Sequence, residues 1–142
     1  SLADEFSNIH LKSFNQQNLR FSSRFIFSLL INPQISYIYK KNKGFCIFSI
    51  NKEDAEIITM AVVPEYQNHG IGLLILNELD EVLLKSNCKK VFLEVASNNL
   101  IALHLYKKVG FQNFGIRKNY YKILKDKKVD AILMKKVVNL QK

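Results

Sequence analysis

The feature that most restricts the fold is a junction in the middle of the chain. A β-rich run, Ala55–Val63, stops at Pro64. Gly70 and Gly72 then open a stretch, Gly70–Ser86, in which Ile71, Leu74, Ile75, Leu79, Val82 and Leu83 recur every three or four residues. This reads as strand, glycine loop, amphipathic helix. The N–H groups of a helix's first turn have no intrahelical acceptor and carry the positive end of the dipole, so such a junction can cradle a phosphate. Glycine lacks a Cβ and lets a ligand approach the backbone. No Lys-Ser/Thr follows the glycines, which excludes a P-loop, and the third glycine of the dinucleotide fingerprint is absent. Taken alone, the pattern is more often a plain structural turn.

The elements on either side argue for a mixed sheet. Glu5–Phe14 and Ser22–Ile31 have helical spacing, with Phe21 and Ser22 as staple and N-cap of the second and Asn32-Pro33 as its stop. Ile35–Tyr39 and Phe45–Ile50 are strands joined by the hairpin signal Lys40–Gly44. Val91–Val95 is a short buried strand, and Asn99–Val109 a helix ended by Gly110. Phe111–Arg117 and Asp130–Val137 are two last strands around a Lys-rich loop. Helices flanking strands, with one hairpin early and one late, argue for an α/β or α+β domain. The 142 residues are expected to form a single domain, 1–142. The abrupt start Ser1-Leu2-Ala3-Asp4 suggests that a first strand is truncated.

Composition bounds the function. Hydrophobic residues make up 48% and charged residues 23%, a globular balance. The longest apolar runs, such as Phe25–Ile31, fall well short of the ~20 residues of a membrane helix, and no basic-then-apolar leader opens the chain. The expectation is a soluble, cytoplasmic protein with no membrane partner. Cys46 and Cys88 are too few for a disulfide framework, and neither they nor His10, His69 and His104 have metal-ligand spacing, so no metal is expected. The net charge is +9, and residues 101–142 hold eleven Lys/Arg against Asp126 and Asp130. The lysines are interleaved with core residues and never run five in a row, so they read as a solvated surface rather than a nucleic-acid footprint.

A second constellation follows the helix. Glu94 interrupts the apolar run Val91-Phe92-Leu93-Glu94-Val95. A buried carboxyl is costly and its pKa rises, which suits a general base near neutrality; a solvent-facing acid at a strand end is the commoner case. Asn99 and the stretch Leu105-Tyr106-Lys107-Lys108-Val109-Gly110-Phe111 come next. A tyrosine on an apolar helix face is, by itself, ordinary core.

Together these spacings resemble the GCN5-related N-acetyltransferase (GNAT) superfamily. Gln67-x-x-Gly70-x-Gly72 is similar to its pyrophosphate motif. The resemblance sharpens to the RimI type, enzymes that acetylate the N-terminal alanine of a small-subunit ribosomal protein. It is carried by Ala61-Val62-x-Pro64-x-Tyr66-Gln67, Leu93-Glu94-Val95, Ser97-Asn98-Asn99, Leu105-Tyr106, Gly110-Phe111, Arg117-Lys118-Asn119-Tyr120-Tyr121 and Asp130-Ala131-Ile132-Leu133-Met134. It spans residues from about 55 to 135. It implies the GNAT fold, a mixed, mostly antiparallel sheet flanked by helices, and acetyl-CoA as co-substrate. Met60, Ala61 and Val62 would hydrogen-bond the pantetheine arm. Gln67, Asn68, His69, Gly70, Ile71, Gly72 and Leu73 would hold the pyrophosphate, and Asn99 would contact the cofactor. Glu94 would be the general base and Tyr106 the general acid. Ala96 stands where RimI-type proteins commonly carry Arg, and Asn68, His69 and Leu73 where basic residues or glutamine are frequent. There is no tryptophan; Phe21-Ser22 stands where Trp-Ser is usual.

The implied chemistry is direct transfer. An α-amino group, pKa about 7.7–8.0, must lose a proton to attack a thioester, and the departing thiolate gains one, which a tyrosine can donate. Backbone N–H groups at Ala61-Val62 would meet the oxyanion. The acceptor on this reading is a protein N-terminus, that of a ribosomal protein. Two rivals remain: a small-amine or polyamine acetyltransferase on the same fold, and a catalytically silent CoA- or RNA-binding module.

Overall fold

The computed structural model describes residues 1–13, 22–124 and 127–139, the stretch 121–124 as backbone. Two helices come first, α1 (Leu2–Ser13) and α2 (Ser23–Leu30), then three strands, β1 (Ile35–Lys40), β2 (Gly44–Asn51) and β3 (Asp54–Val62). A short 3-10 turn, Pro64–Tyr66, leads to α3 (Ile71–Lys85); β4 (Lys90–Ala96), α4 (Leu100–Lys108), β5 (Gln112–Leu124) and β6 (Lys127–Val137) complete the order. The six strands form one sheet in the order β1-β2-β3-β4-β6-β5. Only β3 and β4 pair in parallel. The expected mixed, mostly antiparallel sheet between helices is the one observed. No strand precedes α1 among the described residues.

Each face of the sheet buries a different helix pair. On one, α1 and α2 close over β2 and β3 through Phe6, Ile9, Ile26, Phe45, Ile47 and Ala61. The Phe6 and Phe45 rings stack at 4.4 Å, with Tyr39 edge-on to Phe6 at 4.8 Å. On the other, α3 and α4 lie over the sheet through Ile75, Leu76, Leu79, Leu83, Tyr106 and Val109, against Ile57, Val91, Leu93 and Met134. The helical spacing of Ile75, Leu79 and Leu83 is therefore the stripe that docks α3. One buried ion pair crosses this layer: Lys136 Nζ donates to Asp80 Oδ2 at 2.7 Å, both side chains less than 5% exposed.

The caps sit where the residue types ask for them. The Ser22 side chain accepts from Phe25 N and Asn99 from Ala102 N, satisfying first-turn donors of α2 and α4. Gly110, at φ +106°, follows α4. The proposed staple residue Phe21, and Phe14 at the expected end of the first helix, lie outside the described residues. One expectation is corrected. The Lys-rich stretch after Arg117 is not a long loop, because β5 and β6 continue their pairing outward through Tyr121–Val129 and Leu124–Lys127. The ladder there is irregular, with register shifts between Arg117 and Tyr121 and between Lys122 and Leu124, and Asp130 accepts from the Asn119 N–H at 2.9 Å.

Two irregularities prepare the site. Phe48 pairs with Ile57 but Ile47 with Thr59, so Ile58 is an extra residue in β3. The bulge shifts the alternation: Ala55 and Ile57 face the α3–α4 layer before it, Met60 and Val62 after it. The second is a splay. Beside β4, β3 is paired only over Asp54–Glu56, against Lys90–Phe92, and the rest of the two strands diverge.

Candidate active site

The splay opens a cleft of about 570 Å³. Its walls are the end of α1 (Ser13), the end of β3 (Met60, Ala61, Val62), the following loop (Gln67, Asn68, Gly70), the first turn of α3 (Gly72, Leu73) and the face of α4 running from Asn99 to Lys108. From Ile57 onward β3 has no strand partner on the side that faces β4, so its backbone borders the cleft there.

The loop is shaped by backbone conformation. Asn68 (φ +64°) and Gly70 (φ +82°) both take the left-handed region, which asparagine and glycine tolerate best. Gly70 is the N-cap of α3 and supplies no side-chain cap, and the first turn of α3 holds no acidic residue. Nothing lies within 4 Å of where a Gly70 Cβ would be. The N-terminus of a fifteen-residue helix thus faces open space with its donors free. Gly72 serves a different need: a Cβ there would come 2.6 Å from Leu105 Cδ2, so this glycine lets α3 and α4 approach. The Gln67 amide Nε2 donates to Val62 O at 3.0 Å, and Ser13 Oγ donates to the same oxygen at 2.8 Å. The loop and α1 are both pinned to the end of β3.

Of the residues expected from the sequence, Met60, Ala61, Val62, Gln67, Asn68, Gly70, Gly72, Leu73, Asn99 and Tyr106 line this one cleft; His69, Ile71 and Glu94 do not. Tyr106 is 6% exposed, at once core and cleft wall, its ring edge-on to Phe111 at 5.5 Å. Glu94 sits on the sheet face opposite to Val91, Leu93 and Val95, which belong to the α3–α4 layer. Its carboxylate forms an ion pair with Arg117, Nη2 to Oε1 at 3.2 Å, and its side chain is 30% exposed. Arg117 in turn lies 5.0 Å over the Tyr120 ring. The carboxylate and the tyrosine therefore belong to opposite faces of the sheet, with the splayed strands between them.

Sequence reasoning missed Ser13, Leu100, Ile101, Ala102, His104, Leu105 and Lys108 as cleft residues. The α4 residues had a readable signal: Leu100, His104 and Lys108 share one helix face at four-residue spacing. Neither thiol offers a nucleophile, since burial raises the pKa of both Cys46 and Cys88. Among the described residues no group of three or more His, Cys, Asp or Glu could hold a metal, and no helix is long and apolar enough to cross a membrane.

Comparison with known proteins supplies the last observations. Residues 3–111 match the model of the "Acetyltransferase (GNAT) family". A Bacillus subtilis relative, whose name provisionally assigns it to ribosomal protein bS18 alanine N-acetylation, is 34% identical over 119 residues, 81% of this chain and 77% of that one. The Escherichia coli [ribosomal protein bS18]-alanine N-acetyltransferase is 36% identical over 94 residues, 66% of this chain; those span 63% of its own length, less than two thirds. A crystal structure of the E. coli enzyme superposes with a TM-score of 0.82 at 26% identity, covering 99% of this chain and 90% of that one. Arabidopsis thaliana NAA60 in complex with acetyl-CoA shares the fold, with a TM-score of 0.74 at 18% identity over 95% of this chain and 94% of that one.

Proposed function

The chain belongs to the acetyltransferase (GNAT) family, and from that premise we propose that it moves the acetyl group of acetyl-CoA to the N-terminal α-amino group of a ribosomal protein. It is an acetyl-CoA-dependent N-acetyltransferase. The observation that carries the mechanism is the splay between β3 and β4, beside which the cleft with the α3 N-terminus lies on one face of the sheet and the Glu94 carboxylate on the other. Two relatives named for acetylation of bS18 support the choice of acceptor.

In this reading the pyrophosphate rests on the free N–H groups at Gly70–Leu73 and the pantetheine arm runs along the unpaired edge of Met60–Val62. The acceptor amine approaches from the Glu94 face. Its nitrogen attacks the thioester carbonyl and its proton passes to Glu94, directly or through water. The oxyanion is met by backbone N–H groups at Ala61-Val62. Collapse breaks the C–S bond, and Tyr106 gives its proton to the departing thiolate. The Arg117–Glu94 pair is partly exposed and so weakly held, which lets an incoming ammonium exchange with the guanidinium. The raised thiol pKa values fit a route without an acyl-enzyme. A cytoplasmic setting follows from such an acceptor, and no nucleic-acid partner is invoked.

The test offers acetyl-CoA with peptides copying ribosomal-protein N-termini, and with polyamines, and reads products by mass spectrometry. Acetylation on the α-amino nitrogen of an alanine-initiated peptide is the expected result; polyamine products alone would transfer the assignment to a small-amine enzyme. Glu94→Gln and Tyr106→Phe should each lower turnover by about 10²–10⁴-fold while acetyl-CoA still binds. Near-normal turnover in both variants would remove these residues from the mechanism.

A further inference from the structure

The Glu94 carboxylate is not alone on its face of the sheet. In the ladder Glu94 pairs with Leu133 of β6, and Leu133 with Gly115 of β5; the next row is Ala96, Ala131 and Arg117. The β5 residue in the row of Glu94 is thus a glycine, and the side chain that reaches the carboxylate comes from one row further along. Among the described residues Glu94 is the one ion-pair partner of Arg117, Nη2 to Oε1 at 3.2 Å. Asp130 on β6 is already engaged, by the Asn119 N–H at 2.9 Å and by Lys118 at 3.5 Å. The Arg117 side chain is 53% exposed, and its guanidinium lies 5.0 Å from the centre of the Tyr120 ring. Stacking of this kind steadies a planar guanidinium without using its N–H donors.

An acceptor amine arrives as an ammonium and competes with Arg117 for one carboxylate. Where it succeeds, two cations lie side by side with a single counter-charge, an arrangement that Coulomb repulsion opposes at a partly exposed site. A bare amine does nothing to relieve this. A peptide N-terminus does. Its first carbonyl oxygen sits roughly 3 Å from its own amine nitrogen, as the bond lengths of one residue require. With the ammonium on Glu94, that oxygen comes within reach of the guanidinium that Glu94 has released. The carbonyl oxygen can only accept, and the guanidinium can only donate.

From this we propose that Arg117 determines acceptor specificity: it holds Glu94 until an ammonium displaces it, then donates to the carbonyl of the acceptor's first residue. Amines without a neighbouring carbonyl, polyamines and lysine side chains among them, are thereby disfavoured. The inference rests on the reading of Glu94 as the base that meets the acceptor. Arg117 makes and breaks no covalent bond; it selects which amine reaches Glu94. A lysine in its place would supply a point charge without the planar fork or the stacking on Tyr120.

The test compares an alanine-initiated peptide with its analogue in which an alkene replaces the first peptide bond, so that the shape stays and the carbonyl oxygen goes. Acetylation is followed by mass spectrometry with saturating acetyl-CoA. In wild type kcat/KM should fall by about tenfold or more on the analogue, as one charge-assisted hydrogen bond allows. Arg117→Met and Arg117→Gln should lose about that factor on the peptide and treat the two acceptors alike, and Arg117→Lys should keep part of the preference. Any change the alkene makes to the amine's own basicity is common to wild type and variants and cancels in the ratio. Propylamine, which has no carbonyl, should react no more slowly with Arg117→Met than with wild type. Thermal stabilisation by acetyl-CoA reports that each variant is folded. A carbonyl preference kept by both Arg117→Met and Arg117→Gln, or none in wild type, overturns the role of Arg117 and leaves the peptide acetyltransferase reading standing. Failure of wild type to acetylate either acceptor removes that reading and this inference with it.

Discussion

Two glycines that look alike in sequence, Gly70 and Gly72, do different work, and a pair of variants separates them. Gly70→Glu places a carboxylate in the open space over the α3 N-terminus, at a φ of +82° that costs a non-glycine residue about 1–2 kcal/mol. It should melt lower than wild type by several degrees and lose thermal stabilisation by acetyl-CoA. Gly72→Ala pushes against Leu105, and overpacking of this kind costs roughly 1–3 kcal/mol. It should lower the melting temperature without ligand while keeping part of the acetyl-CoA shift. Equal behaviour of the two variants in melts with and without acetyl-CoA would count against the distinction. The spacing Gly-x-Gly announced a tight strand-to-helix junction but could not say which neighbour each glycine accommodates. That depends on Leu105 of α4, 33 residues after Gly72. Glu94 has the same limit. An acid in an apolar strand was legible as odd, whereas its partner Arg117 is set by the register of β4, β6 and β5.

At the scale of elements, periodicity found the helices and strands because each has one dry face. It did not find the Ile58 bulge, since no Gly or Pro marks it and its effect is only to exchange which residues of β3 face α3 and α4. It also shortened the final hairpin, where lysines replaced the apolar alternation that announces a strand. The buried Asp80–Lys136 pair was equally hidden, as two charges among many until β6 is laid beside α3. Burial pushes the Asp80 carboxyl above its usual range, and Lys136 only partly offsets this. Asp80→Asn leaves a buried ammonium without its counter-charge and should cost about 3–5 kcal/mol. Asp80→Leu/Lys136→Met removes both charges and should recover most of that loss. Urea unfolding of the three proteins checks the order, and a double variant as unstable as Asp80→Asn would show that the pair is not the cause.

For the whole molecule, the +9 net charge already loads the native state with like charges, and acid adds more. Which groups turn that into unfolding depends on where they titrate in the two states. Asp130 is held below the usual carboxylate range, first by the Asn119 N–H it accepts, and Asp4 by the Ser23 hydroxyl. Their contributions are present above the ordinary carboxylate pKa and fade only as pH falls below it. His10 acts earlier. It is 2% exposed on α1, and burial pushes its pKa from 6.5 down to about 4. The unfolded chain therefore binds a proton between those values that the native protein refuses, so stability falls as pH drops from about 6.5 toward 4. At pH 5 the loss from this one group should be about 2 kcal/mol relative to pH 7, because each tenfold difference in proton affinity between the two states is worth about 1.36 kcal/mol. His10→Gln keeps a polar side chain that does not titrate, so its stability should be nearly flat across that window. Urea unfolding of both proteins at pH 7 and pH 5 measures the difference. A variant that loses as much as wild type on acidification would place the acid sensitivity in groups other than the buried histidine.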